Sequence, residues 1–157
     1  MKQELEIDWT VMCLTHAPNS GRGQKFAASC LLLGATPEYV CLKDKPNRHL
    51  DFSAIDRPKW EQFFKKFDVV YTHNKLGEYG NRHHQDCHRW VTIIYDGELW
   101  VFAHNYGIPE VIYEDTSKPV SAILNSVYHE EAEFLKTFNL ITEGFIKIGR
   151  RAGWTRQ

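Results

Sequence analysis

The chain has no long apolar run and almost no net charge. No apolar segment approaches the roughly 18 residues that are needed to cross a membrane, and residues 1–6 lack the apolar core of a signal peptide. We therefore expect a cytoplasmic location. The net charge of −1 provides no general basic field for binding nucleic acid, so only a local basic patch would attract such a partner.

Paired cysteines, repeats and low-complexity segments are also missing. The four cysteines are widely separated, and the absence of any Cys-x-x-Cys pair excludes a zinc knuckle and a dithiol redox motif. Hydrophobic residues at 43% and charged residues at 25% are typical of a globular domain. Because no linker divides the sequence, we predict that residues 1–157 form a single domain.

Alternating strand and helix patterns run through most of the sequence. Short runs of β-branched and aromatic residues predict five strands, at residues 10–14, 39–42, 69–72, 99–103 and 111–113. Apolar residues at helical spacing predict four helices, at residues 22–33, around 60–67, at 83–94 and at 121–138. This order favours an α/β fold with a mostly parallel sheet and helices on both faces, in which ligands bind beyond the carboxyl ends of the strands.

The segment that follows the third predicted strand holds four of the eight histidines. His84 and His88 are four residues apart, so on a helix they project from one face, a spacing that can share a metal ion. The same pair also fits a solvated helix N-terminus whose histidines bind only backbone and water. Gly77 and Gly80 allow the loop to turn sharply or to approach a ligand closely.

Residues 72–84 read Thr-His-Asn-Lys-Leu-Gly-Glu-Tyr-Gly-Asn-Arg-His-His. This segment resembles the second motif of the LmbE-like, or PIG-L-like, zinc-dependent de-N-acetylases, commonly Thr-His-Asn-x-x-Gly-Glu-Tyr-Gly-His-x-x-His. Other pieces follow in the family's order, including the first predicted strand, Arg22 at the start of a helix, and Tyr128-His-Glu-Glu late in the chain. The resemblance covers residues 8–146.

The resemblance implies a three-layer, Rossmann-like fold and hydrolysis of an acetamido group, typically on an N-acetylglucosamine-type sugar conjugate. Zinc is the implied cofactor, because it polarises the amide carbonyl and activates water. His84 corresponds to the last histidine of the family motif, which is a zinc ligand. The candidates for substrate binding are Arg22, which matches a family arginine near the site, together with His73, Glu78 and Tyr79, of which the last two are also suited to shaping the loop.

Two departures from the family pattern bear on activity. The Ala-His-Pro-Asp-Asp-Glu motif, which supplies two zinc ligands and the general base, is absent, and the sheet's first strand is expected to be missing with it. One remaining ligand does not make a tight catalytic zinc site. Asn81 also replaces the first histidine of the second motif. Asparagine donates a hydrogen bond to an oxyanion but does not titrate, so we name Asn81 and the adjacent His83 as the catalytic candidates.

We therefore expect a zinc-dependent de-N-acetylase domain that binds zinc weakly and shows no appreciable activity as this chain alone. Whether truncation or degeneration removed the first motif stays open, as does the oligomeric state. One alternative is a non-catalytic member that keeps a sugar- or nucleotide-binding cleft. A weaker alternative is a metal nuclease of the His-Asn-His type, suggested by Asn81, His83 and His84.

Overall fold

The computed structural model describes residues 7–103, 111–112 and 144–148. The chain divides into two compact units, with the described residues up to Lys43 in the first and those from Asp44 onward in the second. Among the described helices, none combines the length and the apolar character that a membrane span requires. The single-domain organisation stays a prediction.

The described residues of the first unit form a strand, a helix and a second strand: β1 (Thr10–Cys13), α1 (Gly21–Leu32) and β2 (Thr36–Tyr39). Strands β1 and β2 pair in parallel, as expected when a helix makes the crossover between them. Helix α1 begins after Ser20, whose side-chain oxygen accepts a hydrogen bond from the Gly23 N–H at 3.0 Å. This N-cap satisfies one of the amides that the first helical turn leaves without a partner.

The prediction of a strand at residues 39–42 is wrong in its bounds, because β2 covers Thr36–Tyr39. The backbone of Cys41 has a φ of 63°, a left-handed conformation that interrupts the regular strand, although the Leu42 N–H still donates to the Leu14 carbonyl at 2.6 Å. Apolar composition identified the strand, but the backbone conformation after Tyr39 ends it earlier than composition suggests.

The described residues of the second unit form two longer helices, a one-turn segment and four strands. The elements are α2 (Arg57–Phe64), β3 (Val69–Thr72), α3 (Gly77–Gly80), α4 (Arg82–Ile94), β4 (Glu98–Phe102), β5 (Val111–Ile112) and β6 (Gly144–Ile148). The strands lie in the order β3-β4-β6-β5, with β3 parallel to β4 and β6 antiparallel to both of its neighbours. These elements confirm the predicted α/β class. Strand β6 was not predicted, and the predicted helix at residues 121–138 lies outside the described residues.

Aromatic side chains fasten helix α2 to helix α4. Trp60 and Phe64 of α2 lie 5.8 Å and 5.7 Å from Trp90 of α4 between ring centroids, and all three side chains are buried. Burial of each such side chain contributes about 1.5–3 kcal/mol. The helical spacing of the aromatic residues predicted this buried face, and its packing fixes the helix whose first turn carries His84.

Residues 44–50 form a short hairpin at the start of the second unit. Asp44 and Leu50 form an isolated antiparallel bridge, and the Lys45 N–H donates to the His49 carbonyl at 2.8 Å. Three residues of α4 contact this hairpin: Arg82 Nη1 donates to the Asn47 carbonyl, His83 Nε2 lies 3.3 Å from Asp44 Oδ1, and Asp86 accepts the Leu50 N–H. The hairpin is therefore attached along the N-terminal half of α4.

Candidate functional site

The histidine loop connects the end of β3 to the beginning of α4. His73 directly follows β3, and His84 lies in the first turn of α4. Asn81 caps this helix, since its side-chain oxygen accepts hydrogen bonds from the N–H groups of His83 at 2.9 Å and His84 at 3.4 Å. Asparagine is among the preferred N-cap residues. The cap fixes the direction in which the first turn of α4 presents His84.

Glu78 joins His73 and His84 through a single carboxylate oxygen. The Nδ1 atoms of His73 and His84 lie 3.0 Å and 2.5 Å from Glu78 Oε2. The two imidazole rings stack, with centroids 3.7 Å apart and an angle of 14° between the planes. Across the part of the chain that the structure describes, these three residues are the group whose nitrogen and oxygen ligand atoms converge within 4.8 Å. We call them the His-Glu-His cluster.

Asn74 is the buried residue that holds the loop in place. It is 0% exposed, and its Nδ2 donates to the Phe102 carbonyl of β4 at 3.0 Å. Its Oδ1 accepts the N–H groups of Leu76 at 2.9 Å and Glu78 at 3.3 Å, while its own backbone N–H donates to Glu78 Oε1 at 2.9 Å. Asn74 thus fixes both the backbone and the carboxylate of Glu78 relative to the sheet.

The backbone of Glu78 has an uncommon conformation, with φ of 54° and ψ of −76°. Non-glycine residues rarely occupy this region, and such strain persists only where surrounding contacts over-determine it. The preceding Gly77 has φ of 68°, and a Cβ there would lie 2.9 Å from Cγ of Gln85. The turn that directs the Glu78 side chain at the two histidines therefore favours glycine at position 77.

The Glu78 carboxyl is ionised at neutral pH. Burial is the largest single influence and by itself would raise its pKa. Hydrogen bonds from His73, His84 and the Asn74 N–H together outweigh burial and lower the pKa from 4.5 to about 2. The cluster therefore places a full negative charge between two imidazole nitrogens.

His88 supports the loop without joining the cluster. Its Nδ1 donates to the backbone carbonyl of His73 at 2.9 Å. Burial lowers the pKa of the His88 imidazole, so the ring is neutral at pH 7. The spacing of His84 and His88 suggested a shared metal ion, but the described residues that converge on His84 are His73 and Glu78 instead.

The remaining predicted site residues have separate surroundings. Tyr79 is 61% exposed, and its ring contacts that of His84 edge to face with centroids 5.5 Å apart. His83 is directed to Asp44 of the hairpin rather than to the cluster. Arg22 belongs to the first compact unit, in the first turn of α1. The catalytic roles of Asn81 and His83 and the substrate-binding role of Arg22 stay predictions.

Sequence reasoning missed two features of this site. It assigned Glu78 to substrate binding or loop shape and did not see that its carboxylate meets both histidines. It also gave no role to Asn74, although this residue lies inside the Thr72-His73-Asn74 segment. An asparagine two residues beyond the end of a predicted strand is a signal for such a role, because an amide side chain there can satisfy several loop backbone groups at once.

No protein-family model matches the chain, and no curated protein matches it in sequence. Several solved structures do match. The N,N′-diacetylchitobiose deacetylase of Pyrococcus horikoshii, solved with an inhibitor, has a TM-score of 0.58 at 15% identity, covering 90% of this chain and 73% of that chain. The chain shares its fold.

Two further solved structures are similar over most of their length. The 4-carboxy-2-hydroxymuconate hydratase GalB from Pseudomonas putida has a TM-score of 0.54 at 11% identity, covering 96% of this chain and 88% of that chain. A conserved protein from Thermus thermophilus has a TM-score of 0.52 at 14% identity, with 96% and 86% covered. At these identities the likeness establishes a Rossmann-like α/β fold, which hosts both a deacetylase and a hydratase.

Proposed function

We propose that this chain is a zinc-dependent de-N-acetylase domain of the LmbE-like, or PIG-L-like, type, which binds the acetamido group of an N-acetylglucosamine-type sugar conjugate. The observation that carries the proposal is the position of the motif. The Thr72 to His84 segment leaves the carboxyl end of a parallel strand, where α/β folds bind ligands, in a fold shared with a chitobiose deacetylase.

Each site residue has a proposed role in binding or proton transfer. When bound, zinc supplies the Lewis acidity that polarises the amide carbonyl. His84 holds the ion, and an amide N–H of Asn81 donates to the developing oxyanion. His83 is the candidate to deliver the proton to the leaving amine. Its Nε2 lies 3.3 Å from Asp44 Oδ1, so this role requires the ring to turn from Asp44 towards the bound substrate. Tyr79, which is 61% exposed, is the candidate to stack on the sugar.

The chain lacks a residue in the position of the family's general base, so we propose binding without appreciable turnover for the chain alone. Saturation-transfer NMR with N-acetylglucosamine and with glucosamine tests the binding step. The acetyl methyl protons should receive magnetisation from the protein, and glucosamine, which has no acetamido group, should bind at least tenfold more weakly. Equal binding of both sugars, or of neither, would contradict the proposal.

Acetate release tests the catalytic step. With N,N′-diacetylchitobiose and added zinc, the chain alone should release no acetate above background. If the DNA upstream encodes an in-frame Ala-His-Pro-Asp-Asp segment, the extended chain should release acetate, and the His84→Ala form of that extended chain should not. Acetate release that survives His84→Ala would refute the assignment of His84 as a zinc ligand.

The alternative of a non-catalytic binding module draws support from Asn81, whose side-chain oxygen is used as a helix cap. It predicts sugar or nucleotide binding and no turnover even in an extended chain. The nuclease alternative receives no such support. Asn81, His83 and His84 follow a loop from a parallel strand, whereas the His-Asn-His motif requires a compact hairpin and helix.

A further inference from the structure

We propose that His73, Glu78 and His84 form a divalent metal site that needs no protein ligand from outside this chain. The site binds an ion of the zinc class through two imidazole nitrogens and one carboxylate oxygen. The resemblance places only His84 among the metal ligands. The inference rests on the proposed function for the choice of zinc, whereas binding itself depends only on the three side chains.

The donor set is one that proteins use for zinc. Two histidines and one glutamate hold the ion in several zinc hydrolases, with a fourth position left for water or substrate. Imidazole and carboxylate donors also suit other first-row divalent ions, so the class is wider than zinc. The three donors here come from the end of β3, the α3 turn and the first turn of α4, which are ordered by separate contacts.

The distances already approach those of a coordination shell. Ligand atoms at 2.0–2.2 Å from a tetrahedral zinc ion lie about 3.3 Å from one another. Glu78 Oε2 lies 3.0 Å from Nδ1 of His73 and 2.5 Å from Nδ1 of His84. An ion therefore requires these nitrogen–oxygen distances to widen by less than about 1 Å, and the imidazole protons to be transferred to the Nε2 atoms. It also requires the two stacked rings, now 14° apart in plane angle, to turn until both Nδ1 lone pairs point at the ion.

Contacts behind the three ligands hold them in place. Asn74 donates its N–H to Glu78 Oε1, so the other carboxylate oxygen, Oε2, is the one that meets the histidines. Asn74 also accepts the Glu78 N–H, and His88 anchors the carbonyl of His73. Such outer contacts orient metal ligands and are worth about 10- to 100-fold in metal affinity.

Metal binding by the full chain tests the inference directly. After treatment with a chelator and dialysis, the wild type should take up one equivalent of zinc by calorimetry and by elemental analysis. Cobalt(II), used as a spectroscopic substitute, should give the intense visible absorption of a four-coordinate site. His73→Ala, Glu78→Gln and His84→Ala should each weaken zinc binding at least 100-fold. His49→Ala removes a histidine paired with Asp86 outside the cluster and should leave the affinity within twofold.

Folding and binding can be separated in each variant. Circular dichroism establishes whether the variant is folded, and the shift of its melting midpoint on adding zinc reports binding by the folded form. Glu78→Asp serves as a second variant that keeps the charge, and it should retain more affinity than Glu78→Gln. Uptake of less than a tenth of an equivalent by the wild type would overturn the inference. Zinc binding that depends on His84 and His88 but survives His73→Ala and Glu78→Gln would overturn it as well.

The outcomes for the two proposals are distinguishable. A chain that binds zinc through the cluster but binds no acetamido sugar would retain the metal site and reject the de-N-acetylase function. A chain that binds N-acetylglucosamine but takes up no zinc would reject the metal site and retain the proposed binding of the acetamido group.

Discussion

Two carboxylates in the second unit, the partly buried Glu78 and the buried Asp86, have similar contacts and are suited to different tasks. Glu78 and Asp86 each accept a backbone N–H, from Asn74 at 2.9 Å and from Leu50 at 2.8 Å, and each meets a histidine Nδ1 at 3.0 Å. Asp86 lies in a regular helix, and both of its oxygens face one histidine, His49.

Glu78 instead lies in a strained turn, and one of its oxygens is shared by two histidines. A carboxylate whose two oxygens bind one imidazole and one loop amide serves mainly to fasten a hairpin to a helix. A carboxylate oxygen placed between two imidazole nitrogens is arranged as a metal ligand is. The two sites therefore differ in the number of imidazoles that one carboxylate oxygen meets, which is two at Glu78 and one at Asp86.

The largest expected effect on stability comes from Asp86→Ala. The substitution leaves the Leu50 N–H and His49 without their buried partner, and we expect the free energy of unfolding to fall by about 4 kcal/mol. Urea titration followed by tryptophan fluorescence measures this change. Zinc affinity should stay within tenfold of the wild type. Asp51→Ala, which removes an exposed carboxylate, is the control and should shift the urea midpoint far less. If the two variants were equally stable, Asp86 would have no fastening role.

Glu78→Gln should reveal a dependence on pH in the metal-free chain. Because the folded pKa of Glu78 is lowered from 4.5 to about 2, its stabilisation is fully present above pH 4.5 and is lost as the pH falls towards 2. At pH 7 the wild type should exceed Glu78→Gln by about 3 kcal/mol. Urea titrations at pH 7, at pH 4 and near pH 2 should show the difference shrinking. A constant difference across these pH values would contradict an ionised Glu78 in the cluster.

Asn74→Ala tests whether the position of the Glu78 carboxylate depends on the buried Asn74 side chain, a support that Asp86 in its regular helix does not need. The substitution leaves the Phe102 carbonyl and two loop amides without their partner, and it should cost about 2 kcal/mol of stability. Zinc affinity should also fall by about 10- to 100-fold. Asn47→Ala, in the exposed hairpin, is the matched control and should change neither quantity appreciably. Unchanged zinc affinity in Asn74→Ala would show that the cluster orders itself without this support.

Gly77→Ala is expected to have the smallest effect on stability. A Cβ at position 77 requires movement of Gln85 and a left-handed backbone, at a cost of about 1 kcal/mol. Thermal melting monitored by circular dichroism measures this cost. Gly21→Ala is the control, because a Cβ there meets no atom within 4 Å and its φ is ordinary. Equal melting midpoints for the two variants would show that the turn relaxes without loss.

Local sequence patterns predicted the strands whose positions are set by their own residues. Strands β1, β3 and β4 lie within one residue of their predicted bounds, because alternation and composition act over a few residues. Strand β6 was missed although Lys147 stands between two isoleucines. Its pairing with β4 joins residues more than forty positions apart in the sequence, and no local pattern specifies such a partner.

In the candidate site, too, the sequence predicted the individual residues but not the contacts between them. His73, Glu78 and His84 were all singled out from sequence, each for a separate role. Their convergence depends on a positive φ at Glu78 and on the buried amide of Asn74, and neither is visible in residue spacing. Spacing drew attention to the pair His84 and His88 as one arrangement that can share an ion, because the helical repeat is the geometry that sequence reveals most directly.

The attachment of the hairpin at residues 44–50 bears on how this protein can diverge. Arg82 contacts the backbone carbonyl of residue 47, and Asp86 contacts the backbone amide of residue 50. Any amino acid supplies the first group, and any except proline supplies the second. The tip of the hairpin can therefore change its side chains during evolution while helix α4 continues to hold it in place. Substitutions at the tip therefore leave the Arg82 and Asp86 contacts, and with them the position of the hairpin on α4, in place.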